Sequence, residues 1–372
     1  MLIYRRGHIF RIRNSYINIL EIPTQGMLFR SGFILLYASM LLLFASCRKM
    51  HEPDSRAFYY WKTDFRLSAP EKDLIKKTGV TSLYIRFFDV DWDANGNAPT
   101  PVAPVTFSEL PDTSLNIIPV VYITNKTLLN SRLEDMPNLA NKIMRQVDYL
   151  AQNKISRFNE LQMDCDWTEA TKGKYFSLLT TIAGMLHPQH KIISATIRLH
   201  QVKYPEKTGV PPVDRGMLMF YNMGKITAEP GRNSIYNAVD ADKYTASIEK
   251  YALPLDAALP IFGWVIHIRE GKVKGVLNKN FIPDLSDNPG FSNNGNDSFT
   301  ANASFFLHGE YFMKNDKLRI ERMTPDVTSA AALKAARNLK YEQRTVALFD
   351  IDSTAMVMFH EKECNEIFAR FK

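Results

Sequence analysis

Eight short runs rich in β-branched and aromatic residues recur along the chain: AFYYW (57–61), SLYIRFFDV (82–90), NIIPVVYI (116–123), ELQMDCD (160–166), KIISATIR (191–198), GMLMFYNM (216–223), LPIFGWV (259–265) and TVALFDI (345–351). Between them, residues 69–78, 138–152, 171–186, 241–251 and 329–339 show helical periodicity, several opened by a Ser, Asn or Thr suited to capping. Strands alternating with helices predict a parallel sheet with crossover helices, and eight such strands predict an α/β (β/α)8 barrel. Two connections are too long to be turns. Residues 91–115 carry Pro and Asn-Gly signals and read as a loop with little helix. Residues 266–325 read as an insertion after the seventh strand. In it HIREGKVKGVL and EYFMKNDKLRIERM each predict a β-hairpin around a Gly-Lys or Asn-Asp turn, and the stretch between them reads as polar loop. Both long connections follow barrel strands, whose C-terminal ends build the active face of such barrels.

Composition bounds this picture without altering it. With 45% hydrophobic and 23% charged residues, the chain of 372 residues is neither disordered nor a polytopic membrane protein. The net charge of +7 looks like a nucleic-acid footprint until its location is read: Arg5, Arg6, Arg11, Arg13 and Arg30 precede residue 47, with only Glu21 opposing them. The remainder carries +3, too little for a polyanion partner.

From Met27 the chain reads MLFRSGFILLYASMLLLFASCRKM, one Arg before an apolar run, then small residues, then Cys47. That is the shape of a secretory signal peptide, and the run is shorter than the roughly 20 residues that span a bilayer. Residues 1–46 are therefore read as a signal region with Met27 as the expected start. The small-small-Cys ending resembles the lipobox of bacterial lipoproteins. That resemblance implies lipid on Cys47, residues 47–56 as a polar tether, and attachment to a membrane of the cell envelope. The barrel then occupies 57–372. Cys165 and Cys364 sit in apolar contexts and are expected to be free thiols.

Chemistry concentrates at the end of the fourth strand. In Glu160-Leu-Gln-Met-Asp164-Cys-Asp166-Trp-Thr168, alternation puts Asp164 and Asp166 on one side and Cys165 on the other. Two neighbouring carboxylates repel, which raises the pKa of at least one, and paired carboxylates are what glycoside hydrolysis employs. Asp166 is then the candidate general acid and Asp164 the residue that orients it. The segment resembles the D-x-x-D-x-D-x-E signature of chitinase-type barrels, whose final Glu is the acid. Here Leu161 stands at the first Asp position and Thr168 at the Glu position, with Glu169 one residue late. It is closer to a family of secreted bacterial glycosidase-like barrels with D-x-D-x-(T/S) followed by an aromatic-bearing helix, here DCDWTEATKGKYFSLL, and the fifth strand ISATIRLH. That likeness covers most of residues 57–360 and implies the barrel without implying an activity.

Other strand ends offer Trp61, Lys62 and Asp64, then Arg86, Asp89 and Asp91, then Tyr122, Arg198 and His200, then Tyr221, Asn222 and Trp264, and finally Asp350 and Asp352. Aromatic faces beside Asp, Asn and Arg suit a sugar. We take Trp61, Arg86, Asp89, Arg198, Tyr221, Asn222, Trp264 and Asp350 as the glycan-binding set. Arg86 and Arg198 could instead neutralise Asp164 and Asp166 outright. Residues 91–97 imitate a calcium loop, yet Val102 stands where the bidentate Glu belongs, and the eight His lack paired metal spacing, so no metal is expected. No Gly-rich phosphate loop or G-x-S-x-G elbow occurs, so no nucleotide cofactor and no serine nucleophile are expected. The pattern specifies no oligomeric state. Three readings follow: an envelope-anchored glycoside hydrolase-like enzyme, a non-catalytic glycan-binding lipoprotein, and a structural envelope protein. An exposed Asp166 with a second free carboxylate marks the first, both aspartates clamped by Arg beside an aromatic cleft the second, and a cleft filled by 266–325 the third.

Overall fold

In the computed structural model, which describes residues 55–155, 158–340 and 344–371, eight parallel strands close on themselves. They are β1 (Ser55–Tyr60), β2 (Ser82–Asp93), β3 (Asn116–Ile123), β4 (Glu160–Cys165), β5 (Ile192–Arg198), β6 (Arg215–Met219), β7 (Leu255–Pro260) and β8 (Thr345–Phe349). Each pairs with the next, and β1 pairs with both β2 and β8, which closes the barrel. The signal-like segment, Cys47 and the tether up to residue 54 lie outside the described residues.

The helices form where periodicity and caps coincide. In α1 (Ala69–Lys77) the Ser68 hydroxyl accepts from the Glu71 amide while the Glu71 carboxylate accepts from the Ser68 amide at 2.7 Å, a reciprocal cap on the first turn. In α2 (Met136–Ala151) the buried residues Met136, Leu139, Ala140, Ile143, Met144, Val147 and Ala151 form one stripe against the sheet. α3 (Lys172–Leu186), α4 (Ala238–Ile248), α5 (Pro325–Asn338) and α6 (Glu361–Ala369) complete the main outer layer.

Three expectations are corrected. The apolar run at 259–265 is not one strand: β7 ends at Pro260, and Gly263–Arg269 belongs to a separate five-stranded antiparallel sheet. Gly263 marks the change of sheet, since a Cβ there would lie 2.8 Å from the Arg322 Cβ. The first insertion hairpin exists, Gly263–Arg269 with Lys272–Leu277, turning through Glu270 and Gly271 at positive φ. The second does not. Glu310–Phe312 pairs with Phe305–Leu307, whereas Lys317–Arg322 pairs with Gly263–Arg269 and Ser298–Ala301. The stretch expected to be loop instead holds a helix, Phe281–Asp287, and the strands Phe291–Gly295 and Ser298–Ala301. Val265, Phe281, Phe299, Phe312 and Leu318 give this insertion its own small core. The 91–115 connection likewise folds back, with Ala98–Val102 antiparallel to the end of β2 and Asp93 accepting from the Asn95 and Gly96 amides in the turn.

The barrel interior holds a chain of buried polar groups. Tyr59 donates to Gln162 at 2.6 Å, Gln162 to Ser194 at 3.3 Å, and Ser194 to Glu160 at 2.5 Å. Towards the N-terminal ends of the strands, Asp256 accepts from Arg215 at 2.6 Å and from the Thr345 amide at 2.5 Å. Burial raises the Asp256 carboxyl to about 7, against the opposing pull of Arg215. A carboxyl with a folded pKa above its unfolded value near 4 leaves the folded state holding the extra proton between the two. Stability is therefore expected to fall as pH rises from about 4 to 7, by roughly 2–4 kcal/mol at about 1.4 kcal/mol per tenfold change in proton affinity. Urea unfolding across pH 4–8 should show this slope in the wild type and a flatter one in Asp256→Asn. Equal slopes would remove Asp256 as the cause.

Candidate functional site at the mouth of the barrel

Asp164 closes β4 at the barrel axis, 3% exposed, accepting from the Thr196 hydroxyl at 2.5 Å and from Arg198 Nη2 at 3.1 Å. β4 ends one residue later, and Asp166 stands beyond it, its side chain half exposed and ion-paired to Arg198 Nε. One guanidinium thus holds both aspartates. Burial is the main cause that raises the Asp164 carboxyl; Arg198 and Thr196 oppose it, and Asp166 and Asp89 add to it. Repulsion within the pair is thus one of the causes that raise Asp164, and burial is the larger one. Burial works against the Arg198 charge, but the two carboxylates outweigh it and hold the guanidinium above its ordinary range.

Cys165 faces the other way, as alternation required, and is buried and free like Cys364. Trp167 is drawn into the core, stacked on Tyr175 at 5.1 Å with its indole N–H donating to the Thr208 carbonyl at 2.9 Å. This anchor takes the chain off the strand. Thr168 and Glu169 are exposed on the turn into α3, with the Thr168 amide donating to the Thr171 hydroxyl at 2.9 Å.

The remaining carboxylates are clamped in the same manner. Asp89 forms a bidentate pair with Arg86, at 2.7 Å from Nε and 2.5 Å from Nη2. Residues three apart on a strand should face opposite ways; a bulge between Arg86 and Phe88 shifts the phase and lets them meet. Asp350 and Asp352 share Lys279, from the insertion, at 2.6 Å each. Burial raises the Asp350 carboxyl, with Lys279 opposing. Lys62 and Asp64 are engaged elsewhere, Lys62 with Glu71 at 2.9 Å and Asp64 with Thr106 and Ser108, while Asp91 accepts from Thr124 at 2.8 Å.

Five aromatic rings from four connections run in an arc beside these charges. Trp61 meets Phe349 at 5.3 Å, Phe349 meets Tyr221 at 5.6 Å and Phe262 at 5.8 Å, and Phe262 meets Trp264 at 5.6 Å. Tyr221 is buried; the other four are partly exposed. The Tyr221 hydroxyl reaches Met219 Sδ at 3.3 Å, and burial raises it above its ordinary range while Arg198 opposes. Tyr122 is in register with Asp164 on the neighbouring strand, and burial, with Asp166 and Asp164 adding, pushes its hydroxyl up to about 12. Asn222 is exposed in a left-handed conformation.

Trp264 reaches the arc from the insertion sheet, not from the end of β7. Its indole N–H lies 3.4 Å from Glu321, a buried carboxylate that also accepts from the Ser234 amide at 2.9 Å and from the Ser234 hydroxyl. Glu321 is thereby a positioning residue. It, Phe262, Phe349 and Lys279 were not in the sequence-derived set. Phe349 carries the same signal as Trp61, an aromatic at a strand end; Lys279, inside a polar Asn-Lys-Asn stretch, carries none.

No family model and no curated protein match this chain. Solved structures do. The C-terminal domain of a putative chitinase from Desulfitobacterium hafniense aligns with a TM-score of 0.53 at 11% identity, covering 87% of this chain and 100% of that one. The Group IV chitinase of Ostrinia furnacalis aligns at 0.50 and 12% identity, covering 85% and 99%. The fold is that of the chitinase-type barrels. At such identity the likeness concerns the fold alone, and chemistry has to be argued from the mouth of this barrel. At that mouth Asp164 is buried, Asp166 is half exposed and Thr168 is exposed.

Proposed function

We propose that this protein is an envelope-anchored glycan-binding barrel in which the β4 aspartates hold Arg198 in place instead of donating a proton. The observation that carries this reading is the arc of Trp61, Phe349, Tyr221, Phe262 and Trp264 beside a fully ion-paired set of polar groups. Sugar C–H faces stack on rings, and hydroxyls exchange hydrogen bonds with carboxylates and guanidinium groups whose positions are already fixed. A general acid needs a proton and reach. Asp166 has reach but is ion-paired to Arg198, while Asp164 is buried beneath it. Glycosidase-like chemistry is the second reading, favoured by the raised carboxyl of Asp164. Anchoring through lipid on Cys47 belongs to the proposal. Among the described residues no helix is long and apolar enough to cross a membrane.

Retention on immobilised polysaccharides, run beside a reducing-end release assay on the same panel, tests the proposal. Retention without release is expected. Trp61→Ala should weaken retention about tenfold, equivalent to roughly 1.4 kcal/mol and in keeping with the loss of one stacking ring. Release that disappears in Asp166→Asn would replace binding by hydrolysis.

A further inference from the structure

Next to the arc, between the insertion and the segment after β8, an open cleft of about 350 Å³ enters the protein. Its lining is mostly apolar, with Phe262, Ile282, Met323 and Met358, and includes the hydroxyl residues Ser353 and Thr354. The cations in its lining are ion-paired, Lys279 with both Asp350 and Asp352 and Arg322 with Asp297. A mostly apolar cavity of this size whose cations are already paired is a poorer host for a sugar ring than for hydrocarbon. Methionine side chains in the wall, flexible and polarisable, adapt to the shape of what enters. The cleft is continuous with the arc, because Phe262 belongs to both: it contacts Tyr221, Phe349 and Trp264 and lines the cleft. Val357, 73% exposed, and Ser286, on the outer face of the helix Phe281–Asp287, also line it.

We propose that this cleft is a second subsite that takes an apolar substituent, an alkyl or acyl chain, carried by the glycan lying on the arc. The proposal rests on the glycan-binding reading, and its test separates the two. The full chain is titrated with the neutral dye N-phenyl-1-naphthylamine, followed by fluorescence, and the dye is then displaced with octyl β-D-glucoside below its micelle concentration or with methyl β-D-glucoside. Saturable dye binding is expected, weakened at least tenfold in Ser286→Trp and in Val357→Asp but unchanged in Trp61→Ala, with displacement by the octyl and not the methyl glucoside. Both cleft positions are exposed, so these variants should fold; circular dichroism checks it. Absent saturable binding, or binding that both cleft variants leave unchanged, overturns the subsite while polysaccharide retention still stands. Intact dye binding with no polysaccharide retained overturns the proposal through its premise, since the chain would then bind without a sugar.

Discussion

Arg198→Ala is expected to cost about 3–5 kcal/mol of stability, the range for removing one partner of a buried ion pair. The reason is Asp164. Its side chain is 5% exposed, and without the guanidinium its remaining hydrogen-bond partner among the described residues is the Thr196 hydroxyl. Asp166 loses less, because its side chain is half exposed and water can take over. The pH dependence distinguishes these contributions. Burial already raises Asp164 in the folded state, and loss of Arg198, the chief opposing cause, raises it further. A folded pKa above the unfolded one favours folding at low pH and is penalised as pH rises through it. The deficit relative to wild type should therefore be larger at pH 8 than at pH 5, measured by urea unfolding. Adding Asp164→Asn should recover part of the loss. A deficit independent of pH would mean that Arg198 contributes packing and not charge.

Lys279→Met is expected to be of similar size, about 3–5 kcal/mol, for a different structural reason. Lys279 belongs to the insertion, whereas Asp350 and Asp352 follow β8, and both carboxylates have side chains 6% exposed. Removing the ammonium leaves two buried carboxylates facing each other. It also removes a tie between the insertion, which has its own core, and the barrel. Hydrogen exchange in residues 263–322 should increase with the loss of stability, and the double change Asp350→Asn and Asp352→Asn in the Lys279→Met background should restore much of the latter. If exchange in the insertion is unchanged while stability falls, Lys279 matters to the barrel alone.

Both predictions concern charges matched across long sequence separations, and they bear on function equally. A mouth in which Arg86, Arg198 and Lys279 are paired with the five carboxylates of Asp89, Asp164, Asp166, Asp350 and Asp352 presents fixed hydrogen-bonding groups, richer in acceptors than in cations, beside a row of rings. For the proposed glycan ligand, such a surface offers acceptors to hydroxyl groups and rings to C–H faces. The half-exposed carboxylate of the pair, Asp166, is held by Arg198.

Several features were legible in the sequence because local physics decides them. Alternation in Glu160 to Cys165 placed Asp164 and Cys165 on opposite sides of the strand, since successive side chains on a strand must point opposite ways. Eight short apolar runs separated by amphipathic helices required a closed parallel sheet, and Arg198 could be named as a neutraliser because it ends the next strand. Where alternation is broken, that reasoning fails. The bulge in β2 turned Arg86 to Asp89, and Gly263 divided one apolar run between two sheets, which put Trp264 on the insertion. The sequence by itself determined the barrel and the location of its mouth, through the period of its hydrophobic positions and the residues at strand ends. Only the tertiary structure decided which charges meet there and which rings join into one surface, because Lys279, Phe262 and Glu321 act through contacts between distant segments that no local period encodes.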